Sequence, residues 1–185
     1  MNIYFDTEFT GLKKGTTLVS IGLVSEDGKT FYAELTDFDW EQVHGNKWLL
    51  DNVVNKLVYR QNGEEKYISN YHVGRKNDIA VSLKNWFKQF GEVQLVSDVC
   101  HYDMVLLIDI FGGAFDLPKN VSPSCHDINQ DIAKKYRISE KEAFDKSREE
   151  IVKDAYMNVD GEKHNALYDA KVIKCIYDWI YQEGK

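Results

Sequence analysis

Hydrophobic and polar residues alternate along the amino-terminal part of the chain, and this pattern predicts three β-strands. The opening MNIYFDTEF is apolar and aromatic, while Leu18–Val24 and Thr30–Leu35 alternate between apolar and polar positions. The Asp27-Gly28 pair between the last two segments is a strong signal for a hairpin turn. We therefore expect a three-stranded antiparallel meander at the start of the fold.

Apolar residues at helical spacing follow the meander and predict two amphipathic helices. The first covers KWLLDNVVNKLVY, stops at Asn62-Gly63 and is followed by a polar surface loop, NGEEKYISNYHVGR. The second, DIAVSLKNWFKQF, is expected to begin at an Asn77 cap and to stop at Gly91. Their apolar faces would consist of Trp48, Leu49, Val53 and Leu57 in the first helix, and of Ile79, Leu83, Trp86, Phe87 and Phe90 in the second.

One more strand and a mostly helical carboxyl end are predicted for the remainder of the chain. EVQLVSD has the pattern of a short buried strand, and HYDMVLLIDIF that of a helix ended by Gly112-Gly113. A loop that contains Pro118 and Pro123 leads to the short helix DINQDIAKKY.

A capping box formed by Ser139 and Glu142 predicts another helix, which covers Phe144 and Ile151. HNALYDAKVIKCIYDWIY gives the last helix, which is strongly amphipathic. The chain has neither repeats nor linker composition. Residues 1–185 therefore predict a single α/β domain, with a mixed central sheet and helices on both of its faces.

Composition and charge limit the possible function classes. Hydrophobic residues make up 43% and charged residues 29% of the chain, a balance typical of soluble globular proteins. No apolar run reaches the roughly 20 residues of a membrane span, and the amino end lacks a signal peptide, so we expect a cytoplasmic protein. The net charge of −7 argues against a protein that coats nucleic acid, but not against an enzyme that grips a few nucleotides through bound cations.

Three widely spaced cysteines, Cys100, Cys125 and Cys175, form no C-x-x-C pair. The dipeptides Cys100-His101 and Cys125-His126 raise the alternative of a zinc site, but their spacing matches no common zinc finger. Ordinary buried thiols are therefore the expectation.

Acidic residues recur where the predicted strands end. Asp6 and Glu8 lie two residues apart in the first strand, so both carboxylates should point the same way. A hard divalent cation such as Mg²⁺ or Mn²⁺ would explain this repulsive pair, and the alternative is an exposed strand edge or a cap. Asp98 and Asp103 follow the buried strand, where α/β sheets gather ligands. The alternatives are a helix cap for Asp98 and an interaction with the helix dipole for Asp103.

His164 and Asp169 lie five residues apart near the start of the last helix. On one regular helix they would be roughly 140° apart. We therefore expect His164 in the loop after Gly161, with its ring turned over the site, and Asp169 on the helix. The alternative for both residues is an ordinary surface position.

The segments FDTEFTGL, HYDMVLL and HNALYDA resemble, in this order, the three motifs of the DEDDh 3′–5′ exonucleases. The resemblance runs from residue 3 to residue 175, and the histidine is typical of the DEDDh branch. This superfamily includes ribonuclease T, oligoribonuclease, polymerase proofreading domains and small bacterial or phage exoribonucleases. It implies a ribonuclease-H-like fold. Many relatives carry an asparagine shortly before the second acid, which is missing here, and Asp103 fits that motif best.

This resemblance implies phosphodiester hydrolysis with two divalent cations, Mg²⁺ or Mn²⁺. Asp6 would bridge both ions, and Asp103 would hold one of them. Glu8 and Asp169 would hold the ion that positions the attacking water. His164 would act as general base, so that all five residues are catalytic.

The expected substrate is the 3′ end of single-stranded RNA, which would be cut into nucleoside 5′-monophosphates. The alternatives are single-stranded DNA, a small phosphodiester, and a non-catalytic nucleotide-binding module. By resemblance, the residues that contact the terminal nucleotide are Glu8, Phe9, Thr10, Gly11, Leu12 and His164. Phe9 and Leu12 have the alternative of being core residues. The oligomeric state does not follow from the sequence: dimers are frequent in relatives, so a homodimer is one alternative, with the helix around Trp86 as interface or as core. No membrane partner is expected.

Overall fold

The computed structural model describes residues 1–61 and 68–182. The first three strands are β1 (Asn2–Phe9), β2 (Leu18–Ser25) and β3 (Thr30–Leu35). They pair antiparallel in chain order, and Gly28 turns the hairpin between β2 and β3 with a φ of 86°. The predicted meander is confirmed.

Three further strands complete a six-stranded sheet in these residues, in the order β4–β3–β2–β1–β5–β6. They are β4 (Tyr71–Gly74), β5 (Val93–Ser97) and β6 (Val121–Asp127). β4 runs parallel to β3, β5 runs parallel to β1, and β6 runs parallel to β5. The strand predicted in EVQLVSD is β5.

The two edge strands correct two loop predictions. β4 lies in the polar stretch that we expected to be a surface loop, and β6 contains Pro123. An edge strand pairs on one side only, so it needs neither strict apolar alternation nor every backbone N–H, and it tolerates an exposed proline. Residues 62–67 of the predicted loop, with the expected Asn62-Gly63 stop, lie outside the described residues.

Helices cover both faces of the sheet. In the described part of the chain they are α1 (Trp40–His44), α2 (Lys47–Asn52), α3 (Lys76–Phe87), α4 (Cys100–Phe111), α5 (Ile128–Tyr136), α6 (Glu140–Asp145), α7 (Arg148–Asp154) and α8 (Ala166–Gln182), with 3₁₀ turns at Val54–Lys56, Val58–Arg60 and Ala114–Asp116. The helices predicted in HYDMVLLIDIF, DINQDIAKKY and HNALYDAKVIKCIYDWIY are confirmed as α4, α5 and α8. Gly112 ends α4 with a φ of 95°, as its position predicted.

The helix predicted over KWLLDNVVNKLVY is wrong beyond Asn52, where α2 ends. Two 3₁₀ turns follow, and the backbone N–H groups of Val58 and Tyr59 donate to the buried Glu34 carboxylate at 2.8 and 3.2 Å. This tertiary contact overrides the helical spacing of the sequence. Trp48 is 54% exposed, whereas the other three residues of the predicted apolar face are buried.

The boundaries of α3 differ from the prediction at both ends. The helix begins at Lys76, so Asn77 lies inside it and is not the cap. The Asp78 carboxylate closes the first turn by accepting a hydrogen bond from the N–H of Arg75 at 3.3 Å. The helix ends at Phe87, before the glycine that we expected to stop it.

The single helix expected after Ser139 is two helices, α6 and α7. The capping box is confirmed, because Glu142 donates its N–H to Ser139 and accepts the N–H of Ser139 in return. Ile151 is buried as predicted, but Phe144 is 55% exposed. The break between the two helices turns the chain toward the ends of β1 and β5, where the predicted acids lie.

Strand β1 divides its side chains between two helical layers. Ile3 and Phe5 belong to the larger core, which α3 and α4 cover, whereas Tyr4 belongs to the core under α5, α7 and α8. Trp86 of α3 is buried against Phe31, so this ring supplies core and not an interface. The predicted mixed sheet with helices on both faces is confirmed.

Helix α8 starts directly on the backbone of β2. A Cβ at Gly22 would lie 2.3 Å from the carbonyl carbon of Ala166, so a larger residue would push the helix away. Gly22 is also the partner of Asp6 in the register of β1 and β2. The glycine therefore sets how closely the last helix approaches the first predicted acid.

The cysteines are free, with Cys175 buried and Cys100 and Cys125 half-buried. Among the described residues, the groups that offer three or more metal ligands consist of carboxylates alone, which gives the zinc alternative no support. No helix in residues 1–61 and 68–182 is both long enough and apolar enough to cross a membrane.

Candidate active site

The predicted acids meet at one edge of the sheet, where the parallel strands β1 and β5 both end. Asp6, Glu8 and Asp169 each place a carboxylate oxygen within 4.8 Å of the others. Asp6, Asp98 and Asp103 form a second such group, so Asp6 belongs to both. The structure thus brings together all four predicted acids and adds Asp98 to them.

Asp103 lies in the first turn of α4 and is completely buried. Its carboxylate accepts hydrogen bonds from the hydroxyl of Thr7 at 2.6 Å and from the hydroxyl of Ser97. Thr7 is on β1 and Ser97 ends β5, so the two strands fix the orientation of this acid. The sequence offered no signal for either hydroxyl, because threonine and serine are common in strands.

The alternative interpretation of Asp98 as the cap of α4 is wrong. The residue at that cap is Val99, which makes no side-chain cap bond. The Asp98 carboxylate instead accepts a hydrogen bond from Nε of Arg148 at 2.8 Å. Arg148 begins α7, and its other nitrogens donate to Asn129 and to two backbone carbonyls. Among these acids, Asp98 is therefore the one that is paired with a cationic side chain. The sequence did not predict its partner, Arg148.

His164 lies outside α8, in the preceding turn, with a φ of 65°. Its backbone N–H donates to Oδ2 of Asp169 at 2.9 Å, so a direct hydrogen bond links the two residues although they are five positions apart. Asn165 caps the helix by accepting from the N–H groups of Leu167 and Tyr168 at 3.1 Å. The expected placement of His164 before the helix is what the structure has.

The His164 ring faces the acids. Its Nδ1 atom lies 3.8 Å from Oε1 of Glu8, and the ring packs edge-on against Trp48, with 4.9 Å between the ring centres. Burial, reinforced by the charges of Lys163 and Lys56, lowers the pKa of His164. The ring is therefore neutral at pH 7 and has a nitrogen that can accept a proton.

Burial and mutual repulsion raise the pKa of the predicted ligands. Burial is the largest cause of the raised pKa of Asp6, followed by the charges of Asp103, Asp169 and Glu8. Burial, followed by the charges of Asp169, Asp103 and Asp98, raises the pKa of Glu8 to about 8. The pKa values of Asp103 and Asp169 are raised to about 7, again mainly by burial. Four carboxylates held together in this way resist ionisation unless positive charge joins them.

Oxygen donors without compensating protein cations suit a hard divalent ion. Among the described residues, Arg148 is bound to Asp98, and the carboxylates of Asp6 and Glu8 accept no hydrogen bond from the protein. Mg²⁺ and Mn²⁺ prefer such carboxylate ligands, whereas zinc prefers nitrogen and sulfur. The residues present therefore fit divalent cations of the magnesium type.

A cleft of about 370 Å³ opens over the acids, a volume in the range of small-molecule sites. One wall carries Phe9, Val99 and His164, and the other is built from the α6–α7 turn. That second wall includes Lys146 and Arg148, which sequence analysis did not assign to the site. The α6–α7 turn has one signal in the sequence, the basic KSR triplet among acidic residues. No local sequence pattern indicates that this turn folds over the ends of the strands.

The predicted nucleotide-binding stretch has mixed surroundings. Phe9 lines the cleft, and its ring stacks on that of Tyr102 with 5.3 Å between ring centres. Leu12 is 74% exposed, so its alternative as a core residue is wrong. Gly11 has a φ of 149°, a conformation that favours glycine. Thr10 is buried and holds the adjoining loop together through its hydroxyl.

Comparison with known sequences identifies the family of the chain. A family model described as "3′-5′ exoribonuclease Rv2179c-like domain" matches residues 1–180. A relative from Mycobacterium tuberculosis strain H37Rv, named 3′-5′ exoribonuclease Rv2179c, is 29% identical over 132 residues, which are 70% of this chain and 73% of the relative. The predicted resemblance to exonucleases is confirmed.

Comparison with solved structures agrees with the fold. The nuclease domain of 3′hExo, described as a DEDDh family member bound to rAMP, superposes with a TM-score of 0.64 at 13% identity and covers 99% of this chain and 92% of that domain. A 3′-exonuclease solved in specific recognition of the 3′ end of a histone mRNA stem-loop gives a TM-score of 0.64 at 14% identity, and this chain spans 64% of its length. The predicted ribonuclease-H-like fold is confirmed.

Proposed function

Because the chain belongs to the family of 3′-5′ exoribonuclease Rv2179c-like domains, we propose that residues 1–185 act as one domain that hydrolyses single-stranded RNA from its 3′ end. The products would be nucleoside 5′-monophosphates. The observation that carries this proposal is the convergence of Asp6, Glu8, Asp103 and Asp169 beside His164. A nucleotide-binding module without catalysis would have no use for so many buried, repelling carboxylates.

The four acids would hold two divalent cations, Mg²⁺ or Mn²⁺. Asp6 is common to both groups of acids, which supports a bridging role for it. Glu8 and Asp169 would complete one position, and Asp103 would serve the other, oriented by the hydroxyls of Thr7 and Ser97. When bound, the cations would lower the pKa of the attacking water and stabilise the charge on the leaving 3′-oxygen.

His164 would act as general base and take a proton from the attacking water. Its lowered pKa keeps the ring neutral, and its position 3.8 Å from Glu8 places it at the edge of the acids. The bond from its N–H to Asp169 couples the position of the base to that of a proposed ligand. The water oxygen would then form the new P–O bond while the bond from phosphorus to the 3′-oxygen breaks.

The terminal nucleotide would lie in the cleft against Glu8, Phe9, Thr10, Gly11, Leu12 and His164. The exposed Leu12 and the ring of Phe9 offer apolar surface to a base, and stacking of this kind contributes about 1–3 kcal/mol per base. Gly11 lets the backbone approach the sugar closely. The Thr10 hydroxyl donates to Gln42, so the side chain of Thr10 would hold the loop while its backbone lies against the nucleotide.

The test is incubation of the protein with 5′-labelled RNA and DNA oligomers in Mg²⁺ or Mn²⁺. We expect a ladder of RNA products shortened one nucleotide at a time from the 3′ end, and none in EDTA. Asp169→Asn should abolish the ladder, whereas the matched change at the exposed Asp116, Asp116→Asn, should leave it intact. A ladder on DNA alone would refute the RNA preference, and full activity of Asp169→Asn would refute the site.

We also propose a homodimer in the cytoplasm. Val81 on the outer face of α3 and Phe115 in the loop after α4 are exposed and border one surface cleft, which gives a second copy apolar surface to cover. The three free cysteines suit a reducing compartment. Light scattering should give twice the chain mass, and Phe115→Ser should shift it toward the monomer. A monomeric native protein would contradict the dimer.

A further inference from the structure

A second cleft adjoins the active site, on the far side of Phe9. Its lining consists of Lys13, Lys14, Thr16, His101, Tyr102, Val105, Leu106 and Asp109. Phe9 lines the catalytic cleft and stacks on Tyr102, which lines the second one. The stacked rings of Phe9 and Tyr102 therefore join the linings of the two clefts.

The second cleft is basic, although the chain as a whole carries a net charge of −7. Lys13 and Lys14 are exposed, and within the described residues neither ammonium lies within 4.0 Å of a carboxylate. Asp109, the acid in the lining, is paired with Lys76 at 3.0 Å. The two lysines therefore offer positive charge to an anionic ligand.

The loop that carries the two lysines has a fixed shape. The buried hydroxyl of Thr10 lies 3.2 Å from the hydroxyls of both Thr16 and Thr17 and donates to Oε1 of Gln42 at 2.8 Å. The N–H of Gly11 donates to the Thr16 hydroxyl at 3.0 Å. A loop held in this way loses little conformational entropy when a ligand binds, so its charges are pre-organised.

From this arrangement we infer that the second cleft binds the phosphates of the nucleotides upstream of the scissile one. Lys13 and Lys14 contact these phosphates, and the 64% exposed Val105 with the Tyr102 ring forms an apolar wall for a sugar or base. The inference rests on the proposed function and deepens it. The substrate class becomes single strands of several nucleotides, in preference to dinucleotides, which are too short to occupy both clefts.

The test separates binding from hydrolysis. Affinity for a fluorescent seven-nucleotide RNA is measured in EDTA over a range of KCl concentrations, for the native protein and for the double variant Lys13→Gln with Lys14→Gln. The matched control is Lys88→Gln with Lys134→Gln, which makes the same charge change at exposed positions after α3 and in α5. Hydrolysis of the same RNA and of a dinucleotide is then followed in Mn²⁺ for all three proteins.

Loss of two phosphate contacts from a single strand should reduce the slope of log affinity against log salt by about 1.4. The KM for the seven-nucleotide RNA should rise by about tenfold, while dinucleotide hydrolysis and the control variant stay unchanged. Equal slopes for the double variant and the control, or an equal loss on the dinucleotide, would overturn the inference. Binding that depends on the lysines without any hydrolysis by the native protein would instead refute the proposed exonuclease activity.

Discussion

A single buried carboxylate within the sheet and the group of acids at the edge of the sheet have opposite surroundings. Glu34 on β3 is completely buried, and its carboxylate has four donors. These are the hydroxyls of Tyr32 and Tyr71 at 2.7 and 2.5 Å, and the N–H groups of Val58 and Tyr59 at 2.8 and 3.2 Å. The protein itself completes the solvation of this charge.

Three of the acids near the ends of β1 and β5, namely Asp6, Glu8 and Asp169, lack such a set of donors. Among the described residues, Asp6 and Glu8 accept no hydrogen bond, and Asp169 accepts one from the N–H of His164. Burial is the main cause of their raised pKa values, and the charges of neighbouring acids add to it. A buried carboxylate that accepts enough hydrogen bonds from the protein is compatible with a stable fold. A group of buried carboxylates without such donors needs positive charge from a bound ligand.

The largest effect should come from removing the acid shared by both groups. Asp6→Asn should lower kcat at least ~10³-fold, because one side chain serves both proposed cation positions. The unfolding temperature in EDTA should stay equal or rise, since the change removes a repelling charge. Single-turnover cleavage and thermal unfolding measure the two effects. A variant that keeps its activity would show that Asp6 is structural in the manner of Glu34.

The opposite result is expected at Glu34. Glu34→Gln should lower the free energy of unfolding by about 2–3 kcal/mol, because an amide cannot accept from all four donors and places an NH₂ group among them. Below the melting temperature, kcat should change less than about twofold, since Glu34 lies outside the cleft. Urea unfolding and steady-state kinetics test this, with the exposed Glu41→Gln as control. If Glu34→Gln lost activity without losing stability, Glu34 would have a functional role and not a structural one.

The pH dependence of the metal-free protein should follow the acid cluster. The folded-state pKa of Glu8 is about 8 and that of Asp169 about 7, both above the ordinary values of these groups. Groups with raised pKa values stabilise the fold below their unfolded pKa and lose that contribution as the pH rises through the folded pKa. The melting temperature in EDTA should therefore fall between pH 5 and pH 8, by on the order of 5 °C.

Divalent cations should reverse this decline, because they favour the ionised carboxylates. Melting curves at a series of pH values, with EDTA or with Mn²⁺, give the measurement. Asp169→Asn should flatten the EDTA curve, whereas Glu34→Gln should leave its slope unchanged. A melting temperature that rises toward pH 8 in EDTA would contradict the assignment of the raised pKa values.

The smallest effect is expected at Trp48, whose ring packs against His164. Trp48→Ala would expose the imidazole and move its lowered pKa back toward the ordinary value. The acidic limb of the pH–rate profile should shift to higher pH, so that kcat at pH 6 falls about two- to fivefold while kcat at pH 7 changes little. Trp48→Phe, which keeps an aromatic ring, should restore most of the native profile. If the acidic limb of the alanine variant is not shifted, the Trp48 ring does not influence the pKa of His164.

Local patterns predicted the parts of this molecule that local forces decide. The two-residue spacing of Asp6 and Glu8 placed both on one face of β1, and the five-residue spacing of His164 and Asp169 placed the histidine outside α8. Both conclusions depend only on strand and helix geometry. The roles of these residues stay predictions until the variants above are measured.

Contacts between distant segments are what the patterns did not predict. Arg148 meets Asp98 across 50 positions of sequence, and the donors of Glu34 end a helix that the apolar spacing would have continued. The edge strands β4 and β6 pair on one side, so their sequences need no alternation. In each case the deciding partner lies on another element, and no window of sequence contains both.

The bare backbone of Gly22 under the first turn of α8 has a consequence for mutational scanning. Replacement by any other residue would move Asp169 away from Asp6 by displacing a whole helix, without touching an acid, a base or a cation. In a library selected for activity, position 22 would be as intolerant as the proposed ligands and would be mistaken for one of them. Only a joint measurement of fold and activity would separate this spacing residue from the residues that do the chemistry.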